Sequence, residues 1–366
     1  MDQRFLPRNE FHQLIDVLLA ADYSVIGPQV QNGAIVYDSM TNVDQLPKGF
    51  TDAQEAGQYS LHQSNNPYYF SWAAAAQSIK PLCFKPKEVL WKSSISDQGT
   101  LNFTEPLLDV KPTAIIGVKA CDIAALKLQD QHFLEQEYVD PTYKRRRESL
   151  FIISVDCAYP AATCFCHSTN DGPTNQTGFD INLTELENGF IISTGTDAGQ
   201  SIVDGLQSYD ISVDQLSEKS KQEKTAINQQ RKLPHTDIAQ TLKHAQDHQQ
   251  WDDIAQRCLA CGNCTAVCPS CFCHSEHDEY PLNSPEVSHV RQWDSCFNHG
   301  HSYIHGIVIR SETRNRYRQW LTHKFANWVD QYGRSGCTGC GRCISWCPVG
   351  IDVTQELAVI CGEEDA

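Results

Sequence analysis

Residues 258–269 read Cys-Leu-Ala-Cys-Gly-Asn-Cys-Thr-Ala-Val-Cys-Pro, and residues 337–348 read Cys-Thr-Gly-Cys-Gly-Arg-Cys-Ile-Ser-Trp-Cys-Pro. Both stretches follow the spacing C-x2-C-x2-C-x3-C-P, which is typical of loops that hold [4Fe–4S] clusters. Three cysteines at this spacing in a tight, glycine-containing loop can face three iron corners of one cube. The fourth cysteine begins the next helix and points away, towards a neighbouring cube.

The repeated motif predicts two clusters with crossed ligation. In two-cluster ferredoxins the fourth cysteine of a run binds the other cluster. The first predicted ligand set is therefore Cys258, Cys261, Cys264 and Cys347, and the second is Cys337, Cys340, Cys343 and Cys268. Zinc is the alternative metal, but zinc sites use two C-x2-C pairs with a longer spacer between them.

Composition narrows the class of protein. The 366 residues suggest two or three domains, and the formal net charge of −16 disfavours a nucleic-acid partner. One basic stretch, residues 310–324, admits three interpretations: a solvated helix face, a docking or nucleic-acid strip, or positive charge beside a cluster. No apolar run is long enough to span a membrane, and residues 1–10 do not resemble a secretory signal. We therefore expect a cytoplasmic protein with reduced thiols and no membrane partner.

The first half of the chain predicts an α/β arrangement. Apolar residues at helical spacing predict a helix over 11–21, and an Asn32-Gly33 turn is expected to join two short strands at 23–26 and 34–37. Two continuous apolar runs, 113–118 and 150–155, are typical of buried strands, and 190–193 is a third candidate. Asp122 is a candidate cap for the helix between the first two. A helix between two strands favours their parallel pairing.

Four further cysteines follow these strands. Cys121 comes after the first buried strand, and Cys157, Cys164 and Cys166 come after the second. Because the carboxyl ends of parallel strands meet at one edge of a sheet, where α/β domains bind ligands, we expect these thiols to converge. The pattern predicts a third [4Fe–4S] cluster, and the alternative is a set of buried free cysteines.

The long spacer between the motifs sets the expected domain division. The predicted fold class is α+β/α/β: an N-terminal α/β domain over 1–213, a polar linker over 214–235, and a mainly helical, dicluster-ferredoxin-like domain over 236–366 with an insertion at 274–333. The spacer also supplies a competing ligand group for a third cluster, Cys271, Cys273 and Cys296. Cys83 and Cys361 lie in no motif and are expected to be bystanders.

No other chemistry is indicated. The sequence has no dinucleotide fingerprint, Walker A motif, nucleophile elbow or zinc-protease motif. We therefore predict no flavin site, no nucleotide site and no catalytic residue. His299, His301 and His305 lie close together in sequence, and we interpret them as surface or neighbouring histidines in preference to metal ligands.

Several segments of the sequence resemble one protein family. Residues 257–273, Gly117-Val-Lys-Ala-Cys-Asp122, Cys164-Phe-Cys166 and Trp293-Asp-Ser-Cys296 are similar to the iron–sulfur beta subunits of soluble NiFe hydrogenases, also called sulfhydrogenases or sulfur reductases. The A subunit of anaerobic sulfite reductase has a similar run. The resemblance covers about residues 110–355.

The resemblance implies an electron-transfer subunit that is not catalytic by itself. In that family the subunit carries electrons between a flavin subunit that uses NAD(P)H and the small and large subunits of a NiFe hydrogenase. The alternative is the corresponding A subunit that serves a siroheme sulfite reductase. Both interpretations assign the eight motif cysteines to clusters.

Overall fold

The computed structural model describes residues 3–106 and 108–363. Within these ranges the chain forms fifteen strands: β1 Gln3–Pro7, β2 Ser24–Gln31, β3 Ala34–Ser39, β4 Phe50–Glu55, β5 Gln58–Gln63, β6 Lys87–Ile95, β7 Leu101–Thr104, β8 Thr113–Val118, β9 Leu150–Val155, β10 Ile181–Leu186, β11 Gly189–Thr194, β12 His274–Glu279, β13 Val287–Trp293, β14 Tyr303–Ile304 and β15 Ile307–Val308.

The same ranges contain thirteen α-helices: α1 His12–Ala20, α2 Lys80–Cys83, α3 Ala120–Phe133, α4 Pro141–Glu148, α5 Asp197–Val203, α6 Val213–Ile227, α7 Ile238–His244, α8 Gln250–Arg257, α9 Asn263–Ala266, α10 Thr313–Thr322, α11 Trp328–Tyr332, α12 Arg342–Ser345 and α13 Val353–Cys361. A π-helical segment, His323–Asn327, joins α10 to α11. The mixed α and β content agrees with the prediction. The outer ends of the two predicted domains, residues 1–2 and 364–366, lie outside the described residues.

A seven-stranded sheet organises the first half of the chain, in the order β1-β11-β10-β9-β8-β2-β3. The four inner strands β10, β9, β8 and β2 are parallel, which confirms the expected pairing of β8 with β9. The outer pairs are antiparallel. The third candidate strand, β11, is one of these, because only residues 187 and 188 separate it from β10, and so short a connection forms a hairpin.

The core of this sheet confirms the helix and turn predictions. Helix α1 covers one face, where Phe11 stacks on Phe190 with ring centroids 4.1 Å apart. Tyr69, Phe70 and Trp72 are buried in the same core. Asn32 and Gly33 have φ values of 50° and 76°, the backbone of the tight turn that joins β2 to β3.

A second sheet joins the two halves of the chain. Its order is β12-β13-β6-β7, so the strands from the predicted insertion pair with strands of the N-terminal half. Buried ion pairs reinforce this connection: Glu88 on β6 contacts Arg291 on β13 at 2.6 Å and Arg146 on α4 at 2.7 Å. Strands β12 and β13 of the predicted insertion 274–333 therefore belong to a sheet that includes residues of the α/β region.

The segment 214–235, expected to be a polar linker, is largely helical. Helix α6 begins with a capping box in which the Ser212 side chain accepts from the Gln215 amide and the Gln215 side chain bonds back to Ser212. Ala226 is the buried residue of this helix, so the helix shows little hydrophobic periodicity. Hydrophobic periodicity misses such a helix, although the capping box is visible in the sequence.

The helices of the last third enclose a second core. Residues 236–257 form α7 and α8 with a break between them. Leu242, Trp251, Trp320 and Leu357 pack together there, beside several motif cysteines. In the described part of the chain, helices are too short or too polar to cross a bilayer.

Candidate metal centre

The first cysteine motif begins where α8 ends. Cys258 follows Arg257 directly, and the left-handed backbone of Ala260 (φ 51°) and Gly262 (φ 74°) turns the chain back on itself. Helix α9 then starts after Gly262. This local geometry turns Cys258, Cys261 and Cys264 towards one cavity.

The second motif repeats this geometry. Gly339 (φ 62°) and Gly341 (φ 76°) make the turn, and α12 begins after Gly341. Cys343 and Cys347 reach the cavity that the first motif lines. Its apolar wall includes Phe297, Tyr317 and Trp320. The predicted first set, Cys258, Cys261, Cys264 and Cys347, is thus brought together around this space, here called cavity I.

Cys268 is the last cysteine of the first motif in sequence, but it lies with the cysteines of the second motif. Burial raises the pKa of Cys337 to about 12; the Lys324 ammonium opposes this rise, and Cys340 and Cys268 add to it. Burial also raises the pKa of Cys343, and Cys337, Cys340, Cys268 and Cys264 raise it further. The structure therefore groups Cys268 with Cys337, Cys340 and Cys343. Since Cys343 also lines cavity I, the two groups are adjacent.

Backbone amides donate towards several of these sulfurs. The N–H of Ala260 lies 3.4 Å from Cys258 Sγ, that of Gly339 lies 3.4 Å from Cys337 Sγ, and that of Ile351 lies 3.3 Å from Cys347 Sγ. Hydrogen bonds to sulfur stabilise negative charge on it. They are one of the means by which a protein sets the potential of an iron–sulfur cluster.

The spread of the thiols argues against zinc. Zinc draws its ligands to about 2.0–2.3 Å from one point. Across residues 3–106 and 108–363, no three cysteine, histidine or acidic side chains converge closely enough to hold one ion. Thiols arranged around a cavity instead suit a cube whose iron corners each take one ligand.

Lys324 places a buried positive charge beside the second group. Its Nζ lies 3.4 Å from Cys268 Sγ and 3.0 Å from Ser270 Oγ. Burial lowers the pKa of Lys324, but Cys268, Cys271 and Cys337 outweigh burial and raise it well above its usual range. Arg316 is also buried, and Arg314 pairs with Asp252 at 2.9 Å. The basic stretch 310–324 is therefore not a uniformly solvated face, and Lys324 matches the third interpretation, positive charge beside a cluster site.

The third predicted group forms at the carboxyl ends of β8 and β9. Cys121, Cys166 and Cys340 pack against one another, which places this group against the second motif. Burial raises the pKa of Cys164 well above its usual range, and Cys166 and Cys157 add to the rise. The structure thus brings the four cysteines of this group together, as the strand order predicted.

Two charged side chains, Lys119 and Arg342, border this third group and were not identified from the sequence. Lys119 is fully buried, and its Nζ has no hydrogen-bond partner among the described residues. It lies 4.4 Å from the Trp72 ring centre, and its charge opposes the burial that raises the pKa of Cys157. Arg342 forms a fully buried, two-point ion pair with Asp122. Asp122 is therefore not the cap of α3; the helix begins after Lys119 without a side-chain cap.

The competing group, Cys271, Cys273 and Cys296, lies elsewhere. Cys271 and Cys273 line a separate cavity, here called cavity II, together with Cys261 of the first motif. Cys296 is electrostatically coupled to Cys273, which adds to the burial that raises the pKa of Cys296 to about 12. These thiols therefore do not join Cys121, Cys157, Cys164 and Cys166.

The remaining two cysteines are separate from these groups. Cys83 is buried in an apolar core with Phe84 and Phe133, and this burial raises its pKa to about 12. Cys361 ends α13. Neither lines cavity I or cavity II.

Comparisons with known proteins agree with this chemistry. A family profile described as a 4Fe-4S dicluster domain matches residues 257–351, which include both motifs. Over 332 residues the chain is 30% identical to sulfhydrogenase 2 subunit beta of Pyrococcus furiosus, and the alignment covers 86% of this chain and 95% of that protein. The similarity therefore extends well beyond the dicluster region. The chain belongs to the iron–sulfur family of the sulfhydrogenase beta subunits.

Proposed function

We propose that this chain is the electron-transfer subunit of a soluble hydrogenase complex. It passes electrons between a flavin subunit that uses NAD(P)H and a NiFe hydrogenase, or sulfur reductase, module. The observation that carries this proposal is the crossed grouping of eight thiols around two adjacent sites, in a chain that matches a sulfhydrogenase beta subunit over most of its length. This grouping is the ligand arrangement of a two-cluster ferredoxin.

Three ligand sets follow from the grouping. Cys258, Cys261, Cys264 and Cys347 hold the first [4Fe–4S] cluster, Cys337, Cys340, Cys343 and Cys268 hold the second, and Cys121, Cys157, Cys164 and Cys166 hold a third. Buried cations support the second and third assignments. An isolated ammonium is costly to bury, and the negative charge of a thiolate-ligated cluster would compensate Lys324 and also Lys119, which has no hydrogen-bond partner among the residues that the structure describes.

When bound, clusters of this kind accept and release single electrons at potentials set by hydrogen bonding, burial and local charge. The protein residues hold the ligands and control these three factors. Amides of Ala260, Gly339 and Ile351 donate to ligand sulfurs. Phe297, Tyr317 and Trp320 form an apolar wall that limits water at cavity I.

The burial of the three sets suggests their order along the route. The third set is the most enclosed, and its Cys121 and Cys166 touch Cys340 of the second set. Cys343 of the second set lines cavity I, the site of the first. At the mouth of cavity I, Cys261 is exposed and Leu259 is 63% exposed. One redox partner is therefore proposed to dock at this mouth.

Iron and sulfide analysis of anaerobically purified full-length chain tests the clusters. We expect at least about twelve irons, about four for each of the three sets, with electron paramagnetic resonance signals on reduction. Cys264→Ala and Cys343→Ser should each lose about four irons or fail to fold, because ligation is coupled to folding. Cys83→Ser is the matched control and should keep the full iron content. Colourless or zinc-loaded wild-type protein would contradict the proposal.

Purification of the tagged chain from its native cells tests the partners. We expect a flavoprotein and NiFe hydrogenase subunits to co-purify, and a siroheme protein would instead favour the sulfite reductase alternative. The isolated chain should accept electrons from a chemical reductant but oxidise no NAD(P)H. Turnover of NAD(P)H or sulfite by the pure chain would exclude a purely electron-transferring role.

A further inference from the structure

Three cysteines outside the assigned ligand sets lie close in sequence to the open end of the hairpin of β12 and β13. His274 is paired with Trp293 at the open end of this hairpin, so Cys273 and Asp294, the next residues outward, lie side by side. The Asp294 amide donates to the Cys273 carbonyl at 2.9 Å. Cys271 precedes this end of the hairpin and Cys296 follows it. The register of the sheet thus brings thiols that are 25 residues apart in sequence to one place.

These thiols border a defined space next to cavity I. Cavity II is lined by Cys271 and Cys273, and also by Cys261 and Gly262 of the first motif. Cys296 directly follows Ser295, which lines cavity II, and it packs against the same apolar core as Cys264 of the first motif. A group bound in cavity II would therefore lie beside the proposed first cluster.

His301 offers a fourth ligand. Its Nδ1 lies 2.7 Å from Asp294 Oδ2, which leaves Nε2 available. Asp294 lines cavity II, so its hydrogen bond holds the imidazole at the edge of this cavity. A histidine that binds metal through one nitrogen usually donates the other N–H to a carboxylate, and the Asp294–His301 pair has that arrangement.

Two polar groups at cavity II lack the partners that a bound anion would supply. Lys80 is buried, and its Nζ reaches only the carbonyls of Ala266 and Cys271, each at 3.3 Å, and the face of Trp293 at 3.8 Å. It has no carboxylate partner among the residues described. The indole N–H of Trp293 is shielded from solvent and is unpaired in the described structure. A cation and a free donor around a thiol-lined space fit a negatively charged group with sulfur acceptors.

We propose that Cys271, Cys273, Cys296 and His301 hold an additional [4Fe–4S] cluster in cavity II. This inference rests on the proposed iron–sulfur function but assigns a site beyond both motifs and beyond the group at β8 and β9. The four side chains do not converge as a single metal ion requires, in the part of the chain that the structure covers. Their spread instead favours a cube, and its position beside cavity I extends the electron route towards β12 and β13.

Iron and sulfide content of the full-length chain, prepared anaerobically, tests this site. Cys273→Ser and Cys296→Ser should each lose about four irons per chain, together with one component of the Mössbauer and electron paramagnetic resonance spectra. Cys361→Ser, which removes a thiol in no proposed site, should lose none. Unchanged iron and spectra in both cavity II variants would overturn the inference.

The ligand role of His301 has its own test. His301→Ala should lose about one iron per chain and give the signal of a three-iron cluster, whereas His301→Cys should retain the iron and shift the spectrum. Spectra of His301→Ala identical to wild type would exclude His301 as a ligand. If the wild-type chain instead binds one zinc, and Cys273→Ser loses it, cavity II holds a single metal ion and the cluster assignment is wrong.

Parallel measurement of Cys264→Ala separates this inference from the proposed function. Loss of iron in Cys264→Ala but not in Cys273→Ser would overturn the cavity II site and leave the proposed function intact. A wild-type chain that binds no iron at all would overturn both.

Discussion

Arg342 and Asp122 form a two-point ion pair that is fully closed to solvent. Arg342 Nη1 donates to Asp122 Oδ1 at 2.7 Å and Nη2 donates to Oδ2 at 2.8 Å, with both side chains at 0% exposure. Arg342 lies between Cys340 and Cys343 of the second motif, and Asp122 directly follows Cys121. The pair therefore fastens the dicluster region to the edge of the α/β sheet, at the point where the second and third cysteine groups touch.

Removal of one partner of this pair should be severely destabilising. Arg342→Ala leaves the Asp122 carboxylate buried without its cation, and such a loss typically costs about 3–5 kcal/mol of unfolding free energy. Arg342→Lys should recover only part of this stability, because an ammonium cannot form the two-point contact. Anaerobic denaturation followed by tryptophan fluorescence and iron release measures both effects.

An exposed ion pair provides the control. Lys144 and Glu148 lie one helical turn apart on α4, with side chains 54% and 63% exposed and 3.8 Å between charged atoms. Lys144→Ala should leave the unfolding midpoint nearly unchanged, since exposed pairs contribute little. A loss in Arg342→Ala no larger than that in Lys144→Ala would mean that the buried pair does not hold the two regions together.

Lys324 is expected to raise the reduction potential of the second cluster. Its ammonium lies 3.4 Å from Cys268 Sγ and stabilises the added negative charge of the reduced state. Lys324→Met should therefore lower the potential by about 60 mV or more, the equivalent of a tenfold change in a one-electron equilibrium. A redox titration monitored by electron paramagnetic resonance measures the shift. Lys243→Met, at a half-buried lysine that pairs with Asp330, should leave the potential unchanged.

The parts of the fold that were predictable have strong local signals. β8 and β9 are continuous runs of large apolar residues, and the structure places both at the predicted residues. β10 was missed because its buried sequence includes Asn182, Thr184 and Glu185. Their partners are distant in sequence; for example, the amides of Tyr69 and Phe70 donate to Glu185 at 2.8 Å. A polar residue with such a partner cannot be recognised as buried from the strand alone.

The residues of the candidate site also fall into those that local sequence predicts and those that it does not. The eight motif cysteines were identified as candidates because ligand spacing within a loop is local information. The convergence of Cys121 with Cys166 followed from the parallel strands. Lys119 and Lys80 were not found, because a buried lysine is recognised only through neighbours that tertiary folding supplies. The position of Cys273 beside Asp294 likewise depends on a strand register that no short motif encodes.

Lys119 is expected to stabilise the third cluster. Its fully buried ammonium has no partner among the described residues and lies near Cys157. Lys119→Met removes this compensating charge, so iron should be lost to a chelator about tenfold faster, equivalent to about 1.4 kcal/mol. Lys127→Met, at an exposed lysine that donates to Thr177, is the control. If Lys119→Met instead retained iron as well as wild type, its ammonium would not be paired with a bound anion.

Gly339 is expected to tolerate no side chain, for two reasons that a pair of variants separates. Its φ of 62° is unfavourable for alanine, and an added Cβ would lie 2.5 Å from the backbone N and Cα of Cys166. Gly333 has a similar φ of 75° but open space around its missing Cβ. Gly333→Ala should therefore cost only the backbone penalty of about 1–2 kcal/mol. Gly339→Ala should cost about 1–3 kcal/mol more, because the second motif must move away from Cys166.

Anaerobic denaturation of both variants measures the difference. Equal stability of the two variants would show that the close approach of Gly339 to Cys166 does not constrain the protein. Loss of iron from Gly339→Ala alone would instead support a contact between the second and third cysteine groups at this point.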